Sequence, residues 1–400
     1  MKVLFCPAHF VFDEYEHGSE QTSTFTIADR LILQHPSSVV VTGTKNVLTN
    51  KSYRIIELRS KKKQFQVSLL ESLLFNCQYT WRCYRLIRSE KFDIIHHIRP
   101  FAYGSTFNLI PLLHINRKIP FIIGAFASPY THKDVRPRHE NVLVSYLHHL
   151  IITMFWFVTK RLSVWTLQRA DRVIVYDNYT KKLVSRHILE DKITIIPPGK
   201  DKTKFSSKQV RTLTRLDQIH LLSIGYLSYR KGFDITIKAF QTVLNEYPNS
   251  HLKIVGEGQE RAWLEKYIHN LGLSNNISIA GFIENRHIHH EYNQADLFIH
   301  MARAESYAQI YIEALASGLP IISSDNLAAR QILQNKDIGI IVPQGNWLAL
   351  ATKIIYLIKN KEVRQNMSVS ARQYFEENYD WDNVIIPKYN DVYSSVTSIK

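Results

Sequence analysis

Short apolar runs rich in Ile, Val and Phe recur along the whole chain, each followed by a segment of helical periodicity, and this rhythm limits the fold more than any other feature. In the first half the runs are Val3–Cys6, Val39–Thr42, Ile94–His97, Phe121–Ile123, Val173–Tyr176 and Ile193–Ile196. In the second they are His220–Ser223, Leu252–Val255, Ile277–Ala280, Leu297–His300, Ile321–Ser323 and Ile340–Val342. Strands that are apolar throughout, with helices between them, are buried on both faces, which means parallel sheets. The sequence therefore predicts an α/β chain of two doubly wound, Rossmann-like parallel-sheet domains. Facing one another, two such domains would form a cleft at the carboxyl ends of their strands, where ligands of this architecture bind.

The length of 400 residues suits two domains. The division is expected in the turn-rich Ile196-Pro197-Pro198-Gly199-Lys200-Asp201 and the polar stretch after it, giving domains 1–205 and 206–384. An amphipathic helix at Trp381–Tyr393 has no strand after it, and residues 385–400 can pack back on the first domain. Charge is divided unevenly. Residues 1–200 hold 28 Lys and Arg against 15 Asp and Glu, a net of +13, whereas residues 201–400 hold 22 against 20, a net of +2. A basic half suggests a polyanionic partner, a nucleic acid or an anionic membrane, unless the excess is a general bias of composition. Cys6, Cys77 and Cys83 form no metal-binding spacing and suit a reducing compartment. The opening MKVLFCPAHF reads as a first strand, not a leader.

The stretch Ala304–Gly318 is where the chemistry concentrates. A loop with Glu305 joins the strand Leu297–His300 to a helix starting near Gln309, which carries Glu313 and is stopped by Gly318 and Pro320. Orphan N–H groups and the helix dipole make such a helix start an anion site. The spacing of the two carboxylates is about two helical turns, which would bring Glu313 beneath Glu305 on a similar face. Two carboxylates beside an anion site suit a ligand with a phosphate between hydroxyl-rich rings, as in a sugar nucleotide. A solvated helix with two ordinary glutamates would give the same pattern, so the rest of the chain has to decide.

It does so by the order of its motifs. Gly225-Tyr226-Leu227-Ser228-Tyr229-Arg230-Lys231-Gly232-Phe233-Asp234, Ile254-Val255-Gly256-Glu257-Gly258, Gly281-Phe282-Ile283, Glu305 through Glu313 and Ala314–Pro320 follow one another. In that order they resemble the motifs of retaining glycosyltransferases of the GT-B fold, family 4 (glycosyl transferases group 1). The first half matches more weakly, through Asp93–His96, Ala170–Val175 and the Pro-Pro-Gly-Lys-Asp linker. The resemblance implies two catalytic residues, Lys231 neutralising a diphosphate and Glu305 contacting the hydroxyls of the transferred sugar. It implies that Glu313 accepts from the ribose hydroxyls, that the backbone N–H groups of Ala308, Gln309 and Ile310 meet the diphosphate, and that Gly225 and Phe282 line the donor site. Ionised carboxylates suit both glutamate roles, being pure acceptors. Tyr226 stands where the family usually has Arg, and Arg230 is placed to supply that charge. Gly18 and Ser19 stand at the family's acceptor and phosphate loop, with one glycine lost. Phe126 stands where the family often has His, and His132 is the nearest substitute.

No motif offers metal ligands. His96-His97 and His289-His290 point apart, and Asp380-Trp381-Asp382 lies away from every nucleotide motif, where a solvated helix cap is the simpler account. There is no nucleophile paired with an activating base. The implied chemistry is electrostatic, with no metal or other cofactor, the acceptor attacking from the face that the diphosphate leaves. Asn141–Thr159 has no Asp, Glu, Lys or Arg and could just span a bilayer, but its His, Ser, Thr and Asn favour a buried or interfacial helix. Arg59 with Lys61, Lys62 and Lys63 is either a patch for anionic headgroups or a solvated loop. The expectation is an enzyme moving a sugar from a nucleotide-diphosphate sugar to a lipid-linked or cell-surface glycan precursor. It would be cytoplasmic and peripheral on the inner face of the cell membrane. The alternative is a GT-B nucleotide-sugar epimerase or phosphorylase. A nucleic-acid-binding protein rests on charge alone and lacks zinc-finger spacing or an RNP-like aromatic motif.

Overall fold

The computed structural model describes residues 1–6, 11–13, 19–46, 53–58, 69–98, 107–113, 119–126, 160–205, 219–305 and 307–398. Gly18, His132, Asn141–Thr159, Arg59 and Lys61–Lys63 lie outside them. The described residues form two compact units, one holding the chain up to Pro198 with the residues from Ile385 on, the other Gly199–Val384. The change of unit falls at Pro198–Gly199 rather than after residue 205. Phe205 is buried in the second core, and the backbone of Lys200 forms an isolated parallel bridge with that of Asp380 of the second unit.

The strands of the first unit are β1 (Val3–Phe5), β2 (Val11–Asp13), β3 (Val39–Thr42), β4 (Thr44–Asn46), β5 (Arg54–Glu57), β6 (Ile94–His97), β7 (Phe121–Phe126), β8 (Arg172–Val175) and β9 (Ile193–Ile195). Seven of them make one parallel sheet in the order β5-β3-β1-β6-β7-β8-β9, and β2 pairs with β4 apart from it. The second unit has β10 (His220–Ile224), β11 (His251–Val255), β12 (Ile277–Ile279), β13 (Leu297–His300), β14 (Ile321–Ser324) and β15 (Gly339–Val342). They form a six-stranded parallel sheet in the order β12-β11-β10-β13-β14-β15. Every strand expected from the apolar runs is present, some with shifted ends. β2, β4 and β5 were not among those runs, being short and partly polar, as in Thr44-Lys45-Asn46.

Side-chain alternation explains why the strands are apolar throughout. Leu221, Ile254, Ile299 and Ile322 face one core, which the helices Phe233–Leu244 and Trp347–Lys359 close with Phe240, Ile354 and Leu357. Their neighbours Leu222, Val255, Phe298 and Ile321 face the other core, closed by Tyr311, Ile312 and Leu315 of the helix Gln309–Ala316 and by Phe375. Successive residues of a strand point to opposite faces, so a sheet covered on both sides needs apolar residues at every position.

Each sheet reverses its strand order once, between β1 and β6 and between β10 and β13. At such a switch point the loops leaving the carboxyl ends diverge, and ligands of open α/β sheets bind there. The chain ends on a π-helical turn, Trp381–Ile385, followed by the helix Ile386–Thr397, where one continuous helix was expected. Asp380 accepts from the N–H of Asn383 at 2.8 Å, so it caps that turn, but it is buried rather than solvated. The last helix seals the first unit through Tyr393, whose hydroxyl lies 2.7 Å from His96 Nδ1, while His96 Nε2 lies 2.6 Å from the carbonyl of Gly124. A carbonyl only accepts, so Nε2 carries the proton and Nδ1 accepts from Tyr393. Burial pushes the His96 imidazole down to about 3, which keeps it neutral in this role.

Candidate functional site

The loops that follow β10 and β13 meet at the switch point of the second sheet. After β10, Gly225 leads into a tight turn, Tyr229–Lys231, and then into the helix Phe233–Leu244. After β13, residues 301–308 lead into the helix Gln309–Ala316. The turn is held close to the second loop by Gly232, which has φ +67°; a Cβ there would lie 2.0 Å from the carbonyl oxygen of Met301. No other residue fits that approach. The stem of Lys231 runs beside Gly225, in ordinary contact with where a Cβ would stand.

Sequence-distant charges converge here. The Lys231 ammonium ion-pairs with Glu305 Oε2, and Arg230 Nη1 lies 3.4 Å from the same oxygen while donating to the carbonyl of Ala304 at 2.7 Å. His300, the last residue of β13, places Nε2 3.5 Å from that oxygen. Burial alone would raise the Glu305 carboxyl, but the charge of Lys231, His300 and the charge of Arg230 outweigh it. The carboxyl is held well below the usual carboxylate range. Burial lowers Lys231 from the ordinary amine value, partly countered by Glu305. Burial brings His300 down to about 4, so it is neutral near pH 7.

Glu313 has a different setting. Lys200 Nζ is 2.5 Å from its Oε1, and the hydroxyl of Tyr292 donates to its Oε2 at 2.8 Å. The expectation that both carboxylates share a helical face is corrected. The helix begins at Gln309, past Glu305, so the intervening residues do not advance at helical pitch. Ala308, at the cap, offers the first turn no side-chain acceptor, and the N–H of Tyr311 donates to its carbonyl at 3.1 Å. Phe282 and Tyr226, on the loops after β12 and β10, are exposed aromatics. Phe126, standing where a histidine was considered, is a buried core residue at the end of β7. Ser19 opens the helix Ser19–Gln34.

The sequence alone did not single out Arg303, Lys200, Tyr292 or His300. Arg303 grips Asp234 with both ends of its guanidinium, at 2.9 and 2.7 Å, donates to the carbonyl of Tyr229 at 2.6 Å, and stacks 3.8 Å from the Tyr229 ring centre. Its own N–H donates to the carbonyl of Arg230 at 2.8 Å, so one residue fixes the Lys231 turn to the Glu305 loop. The available signal was position: His300 ends a switch-point strand, and Arg303 lies between it and Glu305.

Two family descriptions match consecutive stretches of the chain: Glycosyltransferase Family 4 over residues 21–204 and Glycosyl transferases group 1 over residues 205–374. Among solved structures, Anabaena Alr3699/HepE in complex with UDP and glucose superposes with a TM-score of 0.67 at 16% identity, over 99% of this chain and 100% of that one. WaaG, a glycosyltransferase involved in lipopolysaccharide biosynthesis, gives 0.69 at 16% identity, over 98% and 99%. Two parallel sheets of this order, superposing on these structures along the whole chain, give it the GT-B fold, and both matched descriptions are of glycosyltransferases. Its particular relatives include the alpha-monoglucosyldiacylglycerol synthase of Acholeplasma laidlawii, 27% identical over 50% of this chain and 53% of that protein. The phosphatidyl-myo-inositol mannosyltransferase of Mycobacterium leprae is 28% identical over 51% and 54%. The chain thus spans about half the length of these curated relatives.

Proposed function

We propose that this protein transfers a hexose from a nucleotide-diphosphate sugar to a lipid-linked or cell-surface glycan precursor, with retention at the anomeric carbon and without a metal. The observation that carries the reading is the meeting of Lys231, Arg230 and Glu305 at the switch point, beside the start of the helix Gln309–Ala316. An ammonium has three N–H donors, so Lys231 can hold Glu305 and still meet a diphosphate oxygen. The charge that gathers on the departing diphosphate is met by Lys231, Arg230 and the helix start. Glu305 takes the hydroxyls of the transferred sugar and Glu313 those of the ribose. The bond from the sugar's anomeric carbon to phosphate oxygen breaks, and a bond to the acceptor oxygen forms on the same face. The acceptor's proton leaves with the nucleoside diphosphate, and no group on the protein is consumed. The lipid names of the relatives support a lipid-linked acceptor, and the proposed enzyme meets it at the cytoplasmic face of a membrane.

Thermal-shift measurements with UDP, GDP, ADP and their hexose conjugates test the donor, because a ligand held only by the folded state raises the melting temperature. A rise with one diphosphate family is expected, and no rise with any overturns the reading. Product analysis separates the alternatives: turnover of the donor without acceptor would indicate an epimerase. Activity is expected to persist in excess chelator, and a loss that a divalent ion restores would refute the metal-free step.

A further inference from the structure

Glu313 is approached from two sides by groups outside the stretch from Glu305 to Glu313. Lys200, 113 positions away, reaches Oε1 at 2.5 Å, and Tyr292, 21 positions away, reaches Oε2 at 2.8 Å. Both contacts are sheltered: the Lys200 side chain is 16% exposed, that of Glu313 10%, and Tyr292 is fully buried. Lys200 starts from a fixed backbone. Its N–H donates to the carbonyl of Tyr379 at 3.0 Å and its carbonyl accepts from the N–H of Trp381 at 3.2 Å. The ammonium is therefore delivered to Oε1 from a backbone held on both sides, by a side chain mostly sheltered from solvent.

A carboxylate offers about four lone-pair sites, two per oxygen. Lys200 takes one on Oε1 and Tyr292 one on Oε2, which leaves one on each oxygen. That remainder matches two adjacent hydroxyls. With either donor gone, the carboxylate turns more freely, because a terminal torsion of this kind has a broad energy well. We propose that Lys200, with Tyr292, is a positioning residue that sets Glu313 to recognise a vicinal diol, and so makes the donor site select ribose over 2′-deoxyribose. This rests on Glu313 being the ribose-binding residue.

The test compares affinities for the tightest of UDP, GDP and ADP and for its 2′-deoxy form, in the full chain. The unsubstituted protein is expected to prefer the ribonucleotide by about tenfold or more, the worth of a hydrogen bond to a charged group. Glu313→Gln should abolish the preference. Lys200→Met should reduce it at least threefold through weaker ribonucleotide binding, with little change for the deoxy form, and Lys200→Arg should restore part of it. Tyr292→Phe, which removes only a hydroxyl, should act in the same direction and stands in if Lys200→Met does not fold. A preference lost in Glu313→Gln but unchanged in Lys200→Met and Tyr292→Phe overturns this proposal and leaves the donor site standing. Tighter ribonucleotide binding in Lys200→Met also overturns it, making the lysine a competitor for Glu313. A preference unchanged in Glu313→Gln, or no binding of any diphosphate, overturns the donor-site reading itself.

Discussion

Glu305 is a buried carboxylate that the surrounding cations keep ionised, and this gives it a measurable acid signature. Its folded-state pKa lies below the unfolded value of about 4.3. The stability it contributes is therefore fully present above the unfolded value and is lost as pH falls through the folded one. Urea melts at neutral pH and below about pH 4 should show the natural protein losing more stability on acidification than Glu305→Gln. Equal slopes would mean that the carboxylate gains nothing from Lys231 and Arg230. Function divides the two glutamates differently. Glu313→Ala should weaken donor binding by about 1–3 kcal/mol, the cost of hydrogen-bonding groups left unpaired, whereas Glu305→Ala should depress turnover more than diphosphate affinity. Small, equal effects in folded protein would sink both assignments. Lys231→Ala should weaken nucleoside diphosphate binding far more than binding of the bare nucleoside, which lacks the charge that Lys231 meets. A calorimetric titration with each would decide it.

The turn that presents Lys231 depends on an element-level fit rather than on any one contact. Gly232 has φ +67° and no room for a Cβ against the Met301 carbonyl, so Gly232→Ala must shift the turn, the β13 loop or both. The variant should lose more than ~1 kcal/mol of stability and also bind the diphosphate more weakly, because Arg230 and Lys231 immediately precede the glycine. Unchanged melting and binding would show the approach to be looser than it looks. How much of this was legible in the sequence depends on what signals each element. The sheet strands were visible because burial on both faces demands unbroken apolar runs such as Ile321-Ile322. Glu305 and Glu313 drew notice from the loop and helix punctuation around them, and with Lys231 they were assigned roles through the resemblance of the ordered motifs. β4 was not visible, since three partly polar residues are recruited by a neighbouring strand and not by their own pattern. Lys200, Tyr292 and Arg303 were hidden for another reason. Their partners lie 113, 21 and 69 positions away, and only the folded chain brings them together.

At the scale of the whole molecule the question is what a basic half is for. Residues 1–200 carry +13 and the remainder +2, so any attraction to a polyanion belongs to the first half. No described helix is long and apolar enough to cross a membrane. The helix Leu69–Ser89 shows a face suited to it. Leu74 and Trp81 are 52% and 60% exposed, and Arg82, Arg85 and Arg88 are exposed on the same helix. Tryptophan favours the headgroup level of a bilayer, and each Lys or Arg near an anionic leaflet is worth about 1 kcal/mol, decaying within a Debye length. Lys61, Lys62 and Lys63 add charge close by in sequence. Sedimentation with liposomes should therefore require anionic lipid and fall steeply with salt. Changing Lys61, Lys62 and Lys63 to Glu should release the protein without lowering its melting temperature. Trp81→Ala should weaken binding while leaving its salt dependence in place, because it removes apolar contact and not charge. If the natural protein ignores anionic liposomes at low salt, the charge of the first half serves another partner, and a soluble glycan becomes the better acceptor to try.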